Sequence, residues 1–258
     1  MNRALSTIIG VAAAILAVGC TSENQTEKRI NELLSKMTLE EKIGQLNQVT
    51  AYDTAAMCGE AAAGNFGSIL NLADPVEINK IQRAAVEESR LGIPLVFARD
   101  VIHGFHTIFP IPLGQAASFD PALVEQGARI AAREAVASGV RWTFSPMVDI
   151  SRDSRWGRIA ESFGEDPYLA SELAVAMMQG YQDREKPLAA CAKHFVGYGD
   201  AEGGRDYNTT SIPPRTLRDV YLPPFKACVD EGCASIMTSF NDNDGLPSTG
   251  NRWLLTEL

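Results

Sequence analysis

The sequence predicts an α/β chain built on the parallel sheet of a (β/α)8 TIM-type barrel, with about five of the eight strands visible, and three observations predict it. Five short apolar runs, Phe66–Leu72, Ile93–Ala98, Trp142–Val148, Ala189–Val196 and Ala234–Phe240, are each followed by a helix-like segment. Strands buried on both faces read as continuous apolar stretches of this kind. Each run ends in polar or charged groups: Asn71, Arg99 with Asp100, Asp149, Lys193 with His194, and Asn241. In β/α barrels the chemistry gathers at the C-terminal ends of the strands. Third, the segments between the runs carry repeated helix start and stop signals, and strands alternating with helices argue for a parallel sheet.

Taken in order, the first helix opens with the capping box Thr38-Leu39-Glu40-Glu41 and is expected to run toward Val49. Asp74-Pro75, Asp120-Pro121 and Asp166-Pro167 each place an N-cap acceptor before a proline whose missing N–H costs nothing at the first helical position. Gly92, Gly139 and Gly180 are expected to stop those helices. A fourth helical unit is expected over Arg215–Glu231, entered after Pro213-Pro214 and ended by Gly232.

The first 20 residues stand apart from this fold. Arg3 gives a positive start, Ala4–Val18 is apolar but short for a membrane span, and small residues lead to Cys20. Such a leader is an export signal. Leu16-Ala17-Val18-Gly19-Cys20 resembles the bacterial lipobox, in which Cys20 becomes the lipidated N-terminus; the alternative is an ordinary cleaved signal with an incidental cysteine. Thr21–Lys28 is polar and suits a tether. The expectation is an exported protein anchored to the membrane through Cys20, in the periplasm or cell envelope.

A formal net charge of −9 argues against nucleic acid as a partner, because no basic stripe is available to release counterions. Cys58, Cys191, Cys228 and Cys233 lack the close pairing of zinc sites. Cys191 reads as a buried thiol within a strand. Cys228 and Cys233 could pair in an oxidising compartment, but five residues apart on a helix they point to different faces. With three histidines and no H-E-x-x-H pattern, neither a catalytic metal nor another cofactor is expected.

Asp100 directly follows Leu95-Val96-Phe97-Ala98-Arg99, and a carboxylate at a buried strand end requires a partner: a ligand, or Arg99 beside it. Lys193 and His194 are adjacent on a strand, so either one faces the core or both lie at the rim. Together they offer donors suited to hydroxyl groups. Arg155-Trp156-Gly157-Arg158 precedes Glu161 and Gly164-Glu165-Asp166, and Arg155 fits a loop-stabilising ion pair as well as it fits a ligand. The Gly197–Asp206 loop lacks the Gly-Lys-Ser/Thr ending of a phosphate cradle, and its Asp200, Glu202 and Asp206 would repel phosphate.

Arg99-Asp100-Val101-Ile102-His103-Gly104, Thr107-Ile108-Phe109-Pro110-Ile111-Pro112-Leu113-Gly114, Arg155–Arg158, Lys193–Gly199, Thr238–Asn241 and Pro247–Asn251 together closely resemble family 3 glycoside hydrolases, over about Leu33 to Leu258. Val196-Gly197-Tyr198-Gly199 and Arg205-Asp206-Tyr207 are similar to the β-glucosidase and β-xylosidase branch. The N-acetylglucosaminidase branch instead follows Lys-His-Phe with Pro-Gly-His-Gly.

The resemblance implies hydrolysis of terminal β-glucosyl or β-xylosyl residues by a retaining mechanism. It implies that Asp100, Arg158, Lys193 and His194 hold the sugar hydroxyls where the bond breaks. Asp206 would line the same pocket, with Met237 and Phe240 as its apolar wall. Retaining glycosidases need two carboxyl groups about 5 to 5.5 Å apart. The family's nucleophile is an aspartate in a strand after the stretch matched by Asn251–Leu255, so it is expected beyond Leu258, and the acid/base in a further sandwich domain. Residues 29–258 therefore read as the N-terminal part of the barrel domain, inactive by itself, with no catalytic carboxylate of its own.

Overall fold

In the computed structural model, residues 25–185 and 187–258 are described. The lipobox and Cys20 lie outside them. Residues 25–36 are helical (α1), so the described end of the expected tether, 25–28, is helical. No helix among the described residues is long and apolar enough to cross a membrane.

Among the described residues, six parallel strands follow one another across the sheet in chain order. β1 (Gln48–Thr50), β2 (Ser68–Leu70), β3 (Val96–Arg99) and β4 (Trp142–Thr143) pair in that order, and β5 (Cys191–Phe195) pairs with β6 (Ser235–Thr238). Parallel bridges Trp142↔Ala189 and Met147↔Lys193 join the two groups. The expected Trp142–Val148 strand is regular only over its first two residues. Its ladder to β5 then continues past Pro146, which has no N–H to give, through Cys191 N to Ser145 O at 2.9 Å and Val148 N to Lys193 O at 2.9 Å. A short antiparallel hairpin, β7 (Asp242–Asn243) with β8 (Leu246–Pro247), follows.

β1 departs from expectation. The helix opened by Thr38 is α2 (Leu39–Leu46), with its capping box formed, and Asn47 ends it in extended conformation, so the chain turns at once into β1 instead of remaining helical to Val49. Gln48-Val49-Thr50 has no apolar run to announce it. The strands are also less uniformly buried than their composition suggests. Ile69 and Phe97 pack with Met57, Ile78 and Ile81 beneath α3 (Thr54–Ala63) and α4 (Pro75–Arg83). Ala98, Phe144 and Cys191 form a separate cluster, joined by Leu70, Trp142 and Met237. Val96 and Ile236 stay exposed.

The three Asp-Pro starts form as the sequence reads. Asp74 caps α4, Asp120 caps α6 (Pro121–Ala137) and Asp166 caps α7 (Pro167–Tyr181); α5 (Pro112–Ala116) is a short turn before α6. Each cap contributes about 1 kcal/mol by satisfying a backbone donor at the helix start. The region expected as one helix over Arg215–Glu231 is broken at Pro223-Pro224 into α8 (Pro214–Thr216), a widened turn over Leu217–Tyr221, and α9 (Pro223–Asp230).

Gly180 does not stop its helix. α7 continues through Tyr181, and a Cβ at Gly180 would collide with the Glu125 carbonyl and lie 2.7 Å from Ala128 Cβ, so the glycine is where α6 and α7 cross closely. Around that crossing Ala128, Ala131, Ala135, Leu173, Ala174 and Met177 are buried in one core with Phe225 and Cys228 of α9. Burying a side chain such as Leu173 stabilises the fold by about 1.5–3 kcal/mol. Cys58, Cys191, Cys228 and Cys233 are free thiols, with Cys191 and Cys228 buried.

Candidate active site

The charged groups that end the strands meet at one end of the sheet. Asp100 follows β3, and the backbone just beyond it is pinned: Val101 N–H donates to Thr143 Oγ1 at 3.0 Å, and Val101 C=O accepts from the Tyr181 hydroxyl. The carboxylate is not held by Arg99, whose guanidinium lies over the Phe105 ring, 5.5 Å from its centroid. Its partner is Lys193, Nζ to Oδ1 2.9 Å, with the lysine side chain 4% and the aspartate 47% exposed. One member of the pair is thus anchored in the protein while the other opens outward.

Lys193 and His194 are both buried, although they are neighbours on β5. The register between β5 and β6 slips between Lys193 and Phe195, and this irregularity breaks the strict alternation that would send the two side chains to opposite faces. His194 turns to Asp149. Its Nδ1 lies 2.7 Å from Asp149 Oδ2, and its backbone N–H donates to the same oxygen at 3.1 Å. The ring lies against Tyr198, edge-on at 5.2 Å, and against Phe240 at 5.1 Å.

The loop after β4 brings the remaining groups. Trp156 is fully buried, and its Nε1–H donates to Asp206 Oδ1 at 3.0 Å, an oxygen that also accepts from the Tyr198 hydroxyl. Gly204 makes this closeness possible, since a Cβ there would sit 2.8 Å from Arg155 Cβ and 2.9 Å from Trp156 N. Arg158 grips Glu161 through Nε and Nη2 at 2.7 and 2.9 Å, and its guanidinium lies 5.6 Å from the Tyr198 ring centroid. Arg155 takes its structural reading: it is exposed and clasps Asp153, whose carboxyl it holds down to about 2.

The protonation preferences follow from these pairings. Burial works against the charge on Arg158, but the Glu161 carboxylate outweighs it and holds the guanidinium above its ordinary value. Burial likewise tends to raise Glu161, and the hydrogen bond and charge of Arg158 outweigh it, leaving the carboxyl below its ordinary range. Asp206 is lowered in the same manner, burial being overcome by the donors Tyr198 and Trp156, while Tyr198 is raised by burial and by its bond to Asp206. Lys193, Arg158 and Arg155 thus each have an acid beside them, while Arg99 lies over an aromatic ring. A cluster of paired, opposite charges offers many directional donors and acceptors with little net field, which suits a neutral polyhydroxylated ligand better than an anion.

Of the residues singled out from the sequence, the fold brings together Asp100, Lys193, His194, Arg158, Asp206 and Phe240. Met237 packs lower, against the cluster of Ala98, Phe144 and Cys191. Sequence reasoning missed Tyr198, which touches Arg158, Asp206, His194 and Phe240, and it did not pair Asp149 with His194 or Glu161 with Arg158. The strand-end position of Asp149 was the one available signal. An apolar groove of about 700 Å3 between Phe195, Ile236 and α9 contains none of these acids.

A parallel sheet with chain-ordered strands, helices packed outside it and charged groups gathered at the strand ends defines the β/α-barrel class. Within it, residues 38–258 match the family model for the glycosyl hydrolase family 3 N terminal domain, and the chain belongs to that family. It is 41% identical over 236 residues to a periplasmic beta-glucosidase of Salmonella typhimurium, covering 89% of this chain and 31% of that protein. It is 37% identical to a putative beta-xylosidase of Formosa agariphila, covering 89% and 34%. The crystal structure of a beta-glucosidase from Listeria innocua in complex with isofagomine superposes with a TM-score of 0.83 at 43% identity, over 90% of this chain and 34% of that one. The chain spans about a third of the length of the curated relatives it matches.

Proposed function

We propose that this region, within a chain of its relatives' length, forms the sugar-holding part of a retaining β-glycosidase that releases terminal β-linked glucose or xylose from oligosaccharides and β-glucosides. The observation that carries the reading is the meeting of Asp100 with Lys193 and of Asp149 with His194 at adjacent strand ends, beside the Arg158–Glu161 pair. A ring hydroxyl inserted among such pairs can donate to a carboxylate and accept from a cation at once. A missing or inverted hydroxyl would leave desolvated groups unpaired, which is how a polar pocket discriminates between epimers.

In this reading Asp100, Lys193, His194 and Arg158 bind and orient the sugar, Asp206 shapes the pocket through Tyr198 and Trp156, and Phe240 supplies an apolar face. The nucleophile and the acid/base come from carboxylates outside residues 1–258. Their double displacement passes through a covalent glycosyl-enzyme, so the β-configuration is retained. Export fits the periplasmic relative, and anchoring through Cys20 is part of the same proposal.

Assay of the full-length enzyme against aryl β-glucoside, β-xyloside and β-N-acetylglucosaminide tests it. Turnover of the first or second with β-anomeric product is expected. Cleavage of the third alone, or sugar binding without any turnover, would overturn the reading.

A further inference from the structure

Asp149 carries a task that the sugar-binding reading leaves unassigned. Its side chain is completely buried, and burying a carboxylate is costly unless it is compensated. Both of its hydrogen bonds go to one residue, the backbone N–H and the Nδ1 of His194, and both fall on Oδ2; Oδ1 has no partner among the described residues. Holding the strands together does not require it. The run that ends at Asp149 is already bound to β5 by backbone bonds, from Val148 N to Lys193 O at 2.9 Å and from Lys193 N to Pro146 O at 3.2 Å. Whatever Asp149 contributes passes through His194.

We propose that Asp149 is a positioning residue that locks the His194 ring with Nδ1–H turned inward, so that Nε2 alone is presented to the ligand. A carboxylate only accepts, so the proton of the shared bond lies on Nδ1, and the ring cannot flip without abandoning a buried charge. Tyr198 and Phe240 confine the ring from two further directions. Histidines that must present one chosen nitrogen are commonly held this way through the other. The inference rests on the sugar-binding reading of His194, and it adds the residue that decides which atom of His194 the ligand meets.

The test is a double-mutant cycle in the full-length enzyme, with Asp149→Ala, His194→Ala and the double variant, read as kcat/KM on an aryl β-glucoside. Asp149→Asn is included because its amide oxygen can occupy the Oδ2 position and accept both bonds. The side-chain 15N resonances of His194, assigned by their loss in His194→Ala, report the ring directly. Expected are losses of about 10-fold or more for each alanine variant, a double variant within about threefold of His194→Ala alone, and a smaller loss for Asp149→Asn.

Nδ1 should carry the proton in the wild-type and Asp149→Asn enzymes, and lose that preference in Asp149→Ala. Losses that multiply in the double variant, or a His194 ring unmoved by Asp149→Ala, would overturn the positioning role. An inactive wild-type enzyme would instead count against the glycosidase reading, and the 15N signature would still decide whether Asp149 holds the ring. If Asp149→Ala does not fold, the comparison of wild type with Asp149→Asn carries the test, and a changed His194 tautomer there would overturn the proposal.

Discussion

Asp74, Asp120 and Asp166 stand at helix starts, Asp100, Asp149 and Asp206 at strand ends or in the loops beyond them, and the two groups use their oxygens differently. The first three are exposed and accept from nearby backbone: Asp74 from Val76 and Glu77, Asp120 from Leu123, Asp166 from Leu169. The other three accept from side chains far off in sequence or folded back over the loop, namely Lys193 Nζ, His194 Nδ1, and Trp156 Nε1 with the Tyr198 hydroxyl. An acid that satisfies the backbone of its own helix stabilises local structure. An acid that holds another functional side chain across the sheet sets the geometry of a site. The same residue type thus divides by partner.

That division should appear as a separation between kinetics and stability. Lys193→Ala in the full-length enzyme removes a charged hydrogen-bond partner and strands Asp100, so kcat/KM should fall by about 10 to 150-fold, equivalent to about 1.5–3 kcal/mol. Steady-state kinetics on an aryl β-glucoside with a folded variant would check this, and near-wild-type values would return Lys193 to the structural group. Asp120→Ala should do the reverse, costing about 1 kcal/mol of stability in denaturant unfolding while leaving kcat/KM unchanged. A kinetic loss there would break the comparison from the other side.

The smallest effect belongs to Glu161, which has a foot in both groups. Its carboxyl is lowered by Arg158, so the unfolded chain takes up the proton first as acid is added. The pair's stabilisation is therefore complete above the ordinary glutamate value of 4.5 and is lost as pH falls through the lower folded value. The magnitude should be up to about 1 kcal/mol, the pair being partly exposed. Glu161→Gln should flatten that limb of an acid-unfolding titration, and an unchanged limb would remove the pair from the acid response.

What could be read from the sequence was whatever is encoded within a few residues. Asp followed by Pro marks a helix start because cap and first turn are contiguous, and all three such starts form. Apolar runs located five strands, but β1 has only Val49 as an apolar residue and is separated from α2 by Asn47 alone, too short for any periodicity. Gly180 was misleading because a glycine in an apolar helix signals either an end or a close crossing, and only the presence of α6 decides which. The family resemblance named Asp100, Arg158, Lys193 and His194, yet the pairing of Asp149 with His194 lies 45 residues apart and depends on a register slip in β5. No local pattern contains that information.

The bond between Asp100 and Lys193 spans 93 positions of the chain. The contacts within a βα unit are local, whereas a loop of that length closes only when β3 and β5 are both in place, so this pair exists only in the assembled sheet. A pair that exists only there reports that the sheet is assembled. A sugar-like ligand bridging Asp100 and Lys193 would bind the assembled sheet and not its precursors, and at a hundredfold excess over Kd it would shift the folding equilibrium by about 2.7 kcal/mol. Such a compound would act on this protein as a stabiliser of its folded state.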